Sequence, residues 1–88
     1  MRLAGRKALV TGGNGGIGSA LIAKLKLEGA TVIATDLNVD GIAADHLIAG
    51  DLADRLFCDQ LPTQAAKLMG GLDLLINNAG VMLSLIHI

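Results

Sequence analysis

The sequence contains no tryptophan and no tyrosine, and it has a single phenylalanine, a single cysteine and a single proline. With Cys58 alone, no internal disulfide can form, and nothing else indicates an oxidising compartment. An excess of positive charge is also missing, because seven basic and eight acidic residues are dispersed along the chain and leave a net charge of −1. We therefore expect neither nucleic acid nor an anionic membrane surface as a partner.

The chain also lacks the long apolar runs that direct a protein into a membrane. Residues 2–7 are partly basic, but only three apolar residues follow before the first glycines, far short of a signal peptide. The most apolar stretch, 72–88, is interrupted by polar residues and does not reach the roughly 20 apolar residues that span a bilayer. We expect a cytoplasmic protein without a membrane segment.

Apolar residues are abundant, at 52%, and 12 of the 88 residues are glycine. Four short apolar or β-branched segments predict strands: 7–11, 30–35, 46–49 and 72–77. Amphipathic segments predict helices over 16–28 and 52–69, the second broken at Pro62, which is well placed to begin a new helical segment. The alternation predicts an α/β fold with a partial doubly wound parallel sheet of Rossmann type. Apolar residues and glycine together exceed the roughly 45–50% of ordinary soluble domains, and strands buried on both faces account for this excess.

A glycine-rich turn lies between the first predicted strand and the first predicted helix, with the sequence Thr11-Gly12-Gly13-Asn14-Gly15-Gly16-Ile17-Gly18. Doubly wound folds place a dinucleotide pyrophosphate there, because bare backbone approaches the phosphates and free N–H groups point at them. Such a turn can also be a simple connection, so the glycines alone are weak evidence. No Gly-Lys-Ser/Thr follows them, which excludes the loop that binds nucleoside triphosphates.

Asp36 ends the second predicted strand, 18 positions beyond Gly18. An acid about 20 residues after the glycines binds the ribose hydroxyls of a dinucleotide. A 2′-phosphate about 4 Å away would meet a repulsion of roughly 4 kcal/mol per unit charge at an effective dielectric constant of 20. Neither Asn14 nor Leu37 offers a positive charge to offset it. The pattern favours NAD over NADP, and the alternative for Asp36 is a solvated acid at a strand end.

Together with Asp51-Leu52 and Asn77-Asn78-Ala79-Gly80, these motifs resemble the short-chain dehydrogenase/reductase family over residues 1 to about 82. The resemblance implies the strand order 3-2-1-4. It implies pyrophosphate contacts from Gly12, Gly16, Ile17 and Gly18. It implies contacts to the adenosine side of the cofactor from Asp36, Asp51, Leu52, Asn78, Ala79 and Gly80. Asn77 would mainly brace the central sheet.

The resemblance implies an intact parent that transfers hydride between NAD(H) and a secondary alcohol or ketone, with a small-molecule substrate and a homo-oligomeric assembly. Two alternatives remain. The glycines also satisfy Thr11-Gly12-x-x-Gly15-x-x-Gly18, the form of the extended branch that includes sugar-nucleotide epimerases, although Asn77-Asn78-Ala79-Gly80 favours the single-domain oxidoreductases. The other alternative is a regulatory module that binds NAD(H) without catalysis.

Catalysis in this family depends on a Ser, a Tyr and a Lys four residues after the Tyr. The sequence contains no Tyr, and its two serines, Ser19 and Ser84, do not occupy the family's catalytic position. We therefore expect residues 1–82 to form a truncated NAD-binding Rossmann domain without activity of its own. No metal site is predicted, because His46 and His87 have no partner ligand in the pattern.

Residues 83–88 depart from the family pattern, which continues through a polar loop into a helix. The hexapeptide Leu83-Ser84-Leu85-Ile86-His87-Ile88 reads like the translation of a sequencing-adapter end, so we interpret it as a non-native tail. The alternative is a frameshift or a natural short end. The fourth strand would then be an unprotected sheet edge, and such an edge predicts aggregation of the isolated chain.

Overall fold

Five strands form one sheet in the order β3-β2-β1-β4-β5. The computed structural model describes residues 2–78 and 82–85, the last four as backbone only. In chain order the elements are β1 (Lys7–Thr11), α1 (Gly16–Leu27), β2 (Thr31–Asp36), β3 (His46–Ala49), α2 (Arg55–Met69), β4 (Leu74–Asn77) and β5 (Met82–Leu85). The first four strands have the predicted order 3-2-1-4, so the predicted Rossmann-type half is confirmed.

Strand β1 is the centre of the sheet, because it pairs in parallel with β2 on one side and with β4 on the other. Leu9 lies opposite Ile33 of β2 and Leu75 of β4. Strand β3 continues the parallel ladder beyond β2. All four parallel strands therefore end at the same edge of the sheet, which we call the carboxyl edge.

The core has two layers, one on each face of the sheet. Alternate residues of β1 and β2 face α1, and this layer consists of Ala8, Val10, Ile22, Leu25, Ala30, Val32 and Ala34. The intervening residues face α2, where the layer consists of Leu9, Ile33, Leu61, Ala65 and Leu72. Burying each such leucine or isoleucine contributes about 1.5–3 kcal/mol. The near-continuous apolar composition of β1 and β2 follows from burial on both faces.

Helix α1 begins directly after the glycine turn and packs one face on the sheet. Its buried residues are Gly18, Ile22 and Leu25. Lys24 and Lys26 lie in the last turn, where a positive charge is favoured by the helix dipole. Gly29 then adopts φ +94°, which lets the chain reverse into β2.

Helix α2 is continuous from Arg55 to Met69, so the predicted break at Pro62 is wrong. The Asp54 carboxylate caps its start by accepting the N–H groups of Leu56 and Phe57. Leu61 and Ala65, on either side of Pro62, are buried against the sheet, and this packing holds the helix together across the missing proline N–H. None of the helices within the described ranges is long and apolar enough to cross a membrane.

Strand β4 is not a sheet edge, so the predicted unprotected edge is also wrong. Strand β5 pairs with it antiparallel, and Met82 lies opposite Asn77 while Leu85 lies opposite Leu74. Most of the strand comes from the segment that we interpret as a tail. The pairing supplies hydrogen-bond partners to β4 and moves the sheet edge to β5, so the expected aggregation of the isolated chain stays a prediction. The non-native origin of residues 83–88 stays a hypothesis.

Candidate dinucleotide site

The carboxyl edge brings together three of the predicted segments. The glycine turn follows β1, Asp36 ends β2, and Asn78 follows β4. Because β1 lies between β2 and β4, the turn is flanked by both of the other segments. Residues far apart in sequence therefore meet at one place on the sheet.

The first half of the glycine turn is tied to the protein itself. Gly12 and Gly13 both donate their N–H groups to the Thr35 carbonyl oxygen, at 2.9 and 3.2 Å. The Gly12 carbonyl oxygen accepts from Asn78 Nδ2 at 3.0 Å. Gly12 has φ +68°, a conformation that residues with a side chain rarely adopt. Gly12 thus shapes the turn, and its N–H group is already engaged.

The second half of the turn is open on one side and closely packed on the other. A Cβ atom on Gly15 or Gly16 would meet no atom within 4 Å. A Cβ atom on Gly18, by contrast, would overlap the Gly12 carbonyl oxygen and lie 2.9 Å from the Gly13 Cα. Gly18 therefore lets α1 pack against the turn, while Gly15 and Gly16 leave the backbone accessible.

The start of α1 has N–H groups with no side-chain cap. The N-cap residue is Gly15, and no side chain caps this end of the helix. Ser19 donates the first helical bond, to the Gly15 carbonyl at 2.9 Å. The N–H groups of Gly16, Ile17 and Gly18 precede it and have no acceptor within the helix. They point along the positive end of the helix dipole, which is a favourable site for a phosphate.

Asp36 is held by two backbone N–H groups, one on each carboxylate oxygen. Leu37 N–H donates to Oδ1 at 2.7 Å, and Asn14 N–H donates to Oδ2 at 3.0 Å. The side chain of Asn14 also donates, from Nδ2 to the Asn38 carbonyl at 2.8 Å. A carboxylate has about four acceptor positions, so Asp36 keeps room for two ligand hydroxyls.

Asp51 and Leu52 follow β3 and differ in exposure. Asp51 is exposed, and its Oδ1 accepts the Ala53 N–H at 2.9 Å. Leu52 is half-buried and packs against the α2 layer. The preceding Gly50 donates its N–H to the Asp36 carbonyl at 3.0 Å, which joins this loop to the end of β2. A Cβ atom on Gly50 would overlap the ring of Phe57, so the ring fixes the loop against α2.

The remaining predicted site residues fall at the ends of β4 and α1. Asn77 Oδ1 accepts the Thr11 hydroxyl at 2.7 Å, and this bond across β1 and β4 fits a bracing role. Asn78 reaches the turn, as described above. Ile17 is 72% exposed beside the open half of the turn. Ala79 and Gly80 lie outside the described residues.

Sequence reasoning missed two contributors to this site. The Thr35 carbonyl takes two turn N–H groups, and Asn14 joins the turn to the end of β2. A polar residue inside a glycine run is a weak signal that could have indicated Asn14.

Sequence reasoning also missed a cavity of about 320 Å³ between α2 and the sheet, whose lining includes Leu9, Thr11, Cys58, Leu61, Leu75 and Asn77. A cavity depends on packing and has no sequence signal.

At the opposite, amino-terminal edge the acids are paired with cations. Asp73 accepts the Lys7 N–H at 2.9 Å and lies 3.9 Å from Arg6. Asp45 accepts the Val32 N–H at 2.8 Å and lies 3.3 Å from Lys26. The Val32 N–H, helped by the Lys26 charge, holds the pKa of Asp45 below its usual value.

Glu28 belongs to the same edge. Its Oε2 accepts the Arg2 N–H at 3.1 Å, and its Oε1 lies 3.5 Å from Lys24 Nζ. The Arg2 N–H and the Lys24 charge lower the pKa of Glu28. The ion pairs formed within the described ranges all belong to these three acids.

The residues present at the carboxyl edge fit a dinucleotide. A pyrophosphate needs free N–H groups and bare backbone, and both occur at residues 15–18. A ribose needs a fixed acceptor with spare capacity, which Asp36 supplies. When bound, a nicotinamide cofactor supplies the hydride acceptor or donor of a redox reaction.

Comparison with known proteins identifies the family of the chain. The family model for short chain dehydrogenase matches residues 6–87. The chain is 36% identical over 90 residues to the uncharacterized oxidoreductase YhxC of Bacillus subtilis (strain 168), covering 89% of this chain and 32% of the relative. It is 37% identical over 87 residues to 2-dehydro-3-deoxy-L-rhamnonate dehydrogenase (NAD(+)) of Sphingomonas sp., and this match covers 91% of this chain and 35% of the relative.

A solved structure gives the same result for the fold. A short chain dehydrogenase from Burkholderia cenocepacia in complex with NADP superposes with a TM-score of 0.80 at 34% identity, over 88% of this chain and 36% of that one. The chain thus spans about a third of the length of the relatives it matches. From the fold, the turn and the family match, the chain belongs to the short-chain dehydrogenase family.

Proposed function

We propose that the chain is the N-terminal, NAD-binding part of an oxidoreductase whose whole form transfers hydride between a secondary alcohol or ketone and the nicotinamide. The observation that carries the proposal is the Asp36 carboxylate, held at the end of β2 beside the open half of the glycine turn. Within this part, residues 15–18 receive the pyrophosphate and Asp36 receives the adenosine ribose. The chain alone binds the cofactor but does not turn it over.

The preference for NAD is supported by the charges around Asp36. The sequence contains no lysine or arginine from residue 27 to residue 54, nor from residue 8 to residue 23. These stretches include the whole glycine turn and the segment after β2. A 2′-phosphate would therefore meet the Asp36 charge without a cation nearby in sequence to offset it. One relative is named for NAD(+) and one structural neighbour holds NADP, so cofactor choice varies within the family.

The test is to titrate the 88-residue chain with ADP-ribose and, separately, with 2′-phospho-ADP-ribose, and to measure both affinities by calorimetry. We expect ADP-ribose to bind at least about 10-fold more tightly, because a repulsion of only 1.4 kcal/mol already gives a factor of 10. Asp36→Asn removes the charge with little change in shape and should bring the two affinities together.

Asp40→Asn is the matched control. It removes one negative charge from an exposed position four residues farther along the same loop, and it should leave the ratio of affinities as it was. Absence of ADP-ribose binding by the unchanged chain would contradict the proposal. A preference for the phosphorylated ligand would contradict its choice of NAD.

A further inference from the structure

Asn14 is the one residue of the glycine turn whose side chain reaches the segment after β2. Its Nδ2 donates to the Asn38 carbonyl at 2.8 Å, while its own N–H donates to Asp36 Oδ2 at 3.0 Å. The two hydrogen bonds, which we call the Asn14 clasp, span 22 and 24 residues of sequence. They join the turn to the acid and to the chain two residues beyond the acid.

The clasp acts on a carboxylate whose other hydrogen bond within residues 2–78 comes from the next residue in the chain. The N–H group of Leu37, the next residue in the chain, donates to Oδ1 at 2.7 Å and moves together with Asp36. Asn14 provides the hold from a different element, on Oδ2. Loss of the bond to Asn38 would free residues 37 and 38 from the turn, because the other hydrogen bond of Asn38 within residues 2–78, in which its Oδ1 accepts the Asp40 N–H, stays within its own loop.

A fixed carboxylate and a mobile one differ in what they reject. Ribose hydroxyls can be bound by either, since a mobile carboxylate can still turn toward a donor. A 2′-phosphate is repelled strongly only by a charge that stays close, because the energy falls with distance and solvent screens a carboxylate that turns away. Rigidity at Asp36 therefore contributes more to discrimination than to affinity.

We propose that Asn14 is a positioning residue: its side chain anchors the Asn38 carbonyl to the glycine turn, which keeps the Asn14 backbone N–H and the Asp36 carboxylate together and so sets the discrimination between a 2′-hydroxyl and a 2′-phosphate. The inference rests on the proposed function, since it concerns the same nucleotide site. It assigns to Asn14 no contact with the nucleotide, and its effect passes through Asp36.

The experiment measures the ratio of affinities for ADP-ribose and 2′-phospho-ADP-ribose in the 88-residue chain by calorimetry. Asn14→Ala deletes the bond to the Asn38 carbonyl, and losing one hydrogen bond of this kind should lower the ratio about 2- to 10-fold. The affinity for ADP-ribose itself should fall less than the ratio. A purely structural role would weaken both ligands equally and leave the ratio unchanged.

Two further variants sharpen the test. Asn14→Leu keeps about the size of the side chain, has no hydrogen-bond donor and adds no charge, so it should lower the ratio at least as much, and it carries the test if Asn14→Ala does not fold by circular dichroism. Asn38→Ala keeps the carbonyl that accepts from Asn14 and should leave the ratio unchanged.

The outcomes separate the two proposals. ADP-ribose preference in the unchanged chain, with the same ratio in folded Asn14→Ala and Asn14→Leu, overturns the role of Asn14 and leaves the proposed function standing. An equal fall of the ratio in Asn38→Ala also overturns it, because the clasp is intact there. Failure of the unchanged chain to bind ADP-ribose, or its preference for the phosphorylated ligand, overturns the proposed function and this inference with it.

Discussion

The two edges of the parallel sheet use acids in different ways. At the amino-terminal edge Asp73, Asp45 and Glu28 each accept a backbone N–H and each lie within 4 Å of a cation. At the carboxyl edge Asp36 also accepts backbone N–H groups, but these partners within residues 2–78 are neutral amides. Both edges therefore fix the geometry of their carboxylates, and only the amino-terminal edge neutralises them.

This difference separates structural acids from an acid suited to a ligand. A carboxylate with a cation beside it has little electrostatic effect on an approaching molecule, whereas a fixed and unneutralised one keeps its field. Asp73 joins β1 to β4 in both directions, because its own N–H also donates to the Lys7 carbonyl at 2.8 Å. The acids of the amino-terminal edge are paired with cations, whereas the charge of Asp36 at the carboxyl edge is not paired with a cation within the described residues.

The largest expected effect tests the close packing at the carboxyl edge. Gly18→Ala places a Cβ against the backbone of Gly12 and Gly13, and we expect the free energy of unfolding to fall by about 3 kcal/mol. Gly16→Ala is the matched control, since its Cβ meets open space, and it should change stability by about 0.5 kcal/mol or less. Urea denaturation of both variants measures the difference. Equal stability losses would show that the packing at Gly18 is not tight.

A smaller effect separates the two edges directly. Asp73→Ala leaves the part-buried Lys7 N–H without its side-chain partner, so stability should fall by about 1–3 kcal/mol while ADP-ribose affinity stays the same. Asp36→Ala should show the opposite pattern. ADP-ribose binding and the preference for ADP-ribose should fall markedly, while stability falls less than in Asp73→Ala, because the N–H partners of Asp36 are exposed. Denaturation and calorimetry on the same samples give both readouts. If Asp73→Ala weakened binding as much as Asp36→Ala, the division of labour between the edges would be wrong.

The smallest effect is the pH dependence of the amino-terminal edge. The pKa of Asp45 is lowered in the folded chain. The Asp45 carboxylate therefore stabilises the fold fully above the pKa that it has in the unfolded chain, about 3.9, and this stabilisation is lost as the pH falls through the folded pKa. Asp45→Asn keeps an acceptor for the Val32 N–H but no longer titrates there. Stability measured from pH 6 to pH 2 should therefore fall less steeply in this variant.

Asp40→Asn serves as the charge control for that series, because it removes the same charge from an exposed loop position. Its stability should follow the unchanged chain throughout the pH range. A slope that Asp45→Asn leaves unaltered would show that Asp45 does not contribute to acid sensitivity.

The sequence predicted those features that depend on local pattern. The four parallel strands, both helices as elements and the place of Asp36 at a strand end follow from alternating composition and turn residues, and the structure confirms them. The glycine turn was also placed correctly between β1 and α1. These features depend on near neighbours in the chain, which a single sequence contains.

The errors share a different cause, which is contact between distant residues. Pro62 was expected to break α2, but packing of Leu61 and Ala65 on the sheet overrides the local preference. The pairing of β5 with β4 depends on tertiary contacts as well. The engagement of the Gly12 and Gly13 N–H groups by Thr35 contradicts no prediction, but it also depends on a neighbouring strand and was missed for that reason. A glycine motif indicates where a phosphate can bind, but the neighbouring strand β2 decides which N–H groups of the turn stay free.

The winding order of the sheet has a consequence of its own. The chain leaves β1 toward β2 with α1 on one face, and it returns from β3 to β4 with α2 on the other face. At the boundary between β1 and β4 the connections diverge, and a crevice opens at this switch point through topology alone. Substitutions at residues 12–18 or at Asp36 can change what the crevice accepts, but only a different order of strands would abolish it.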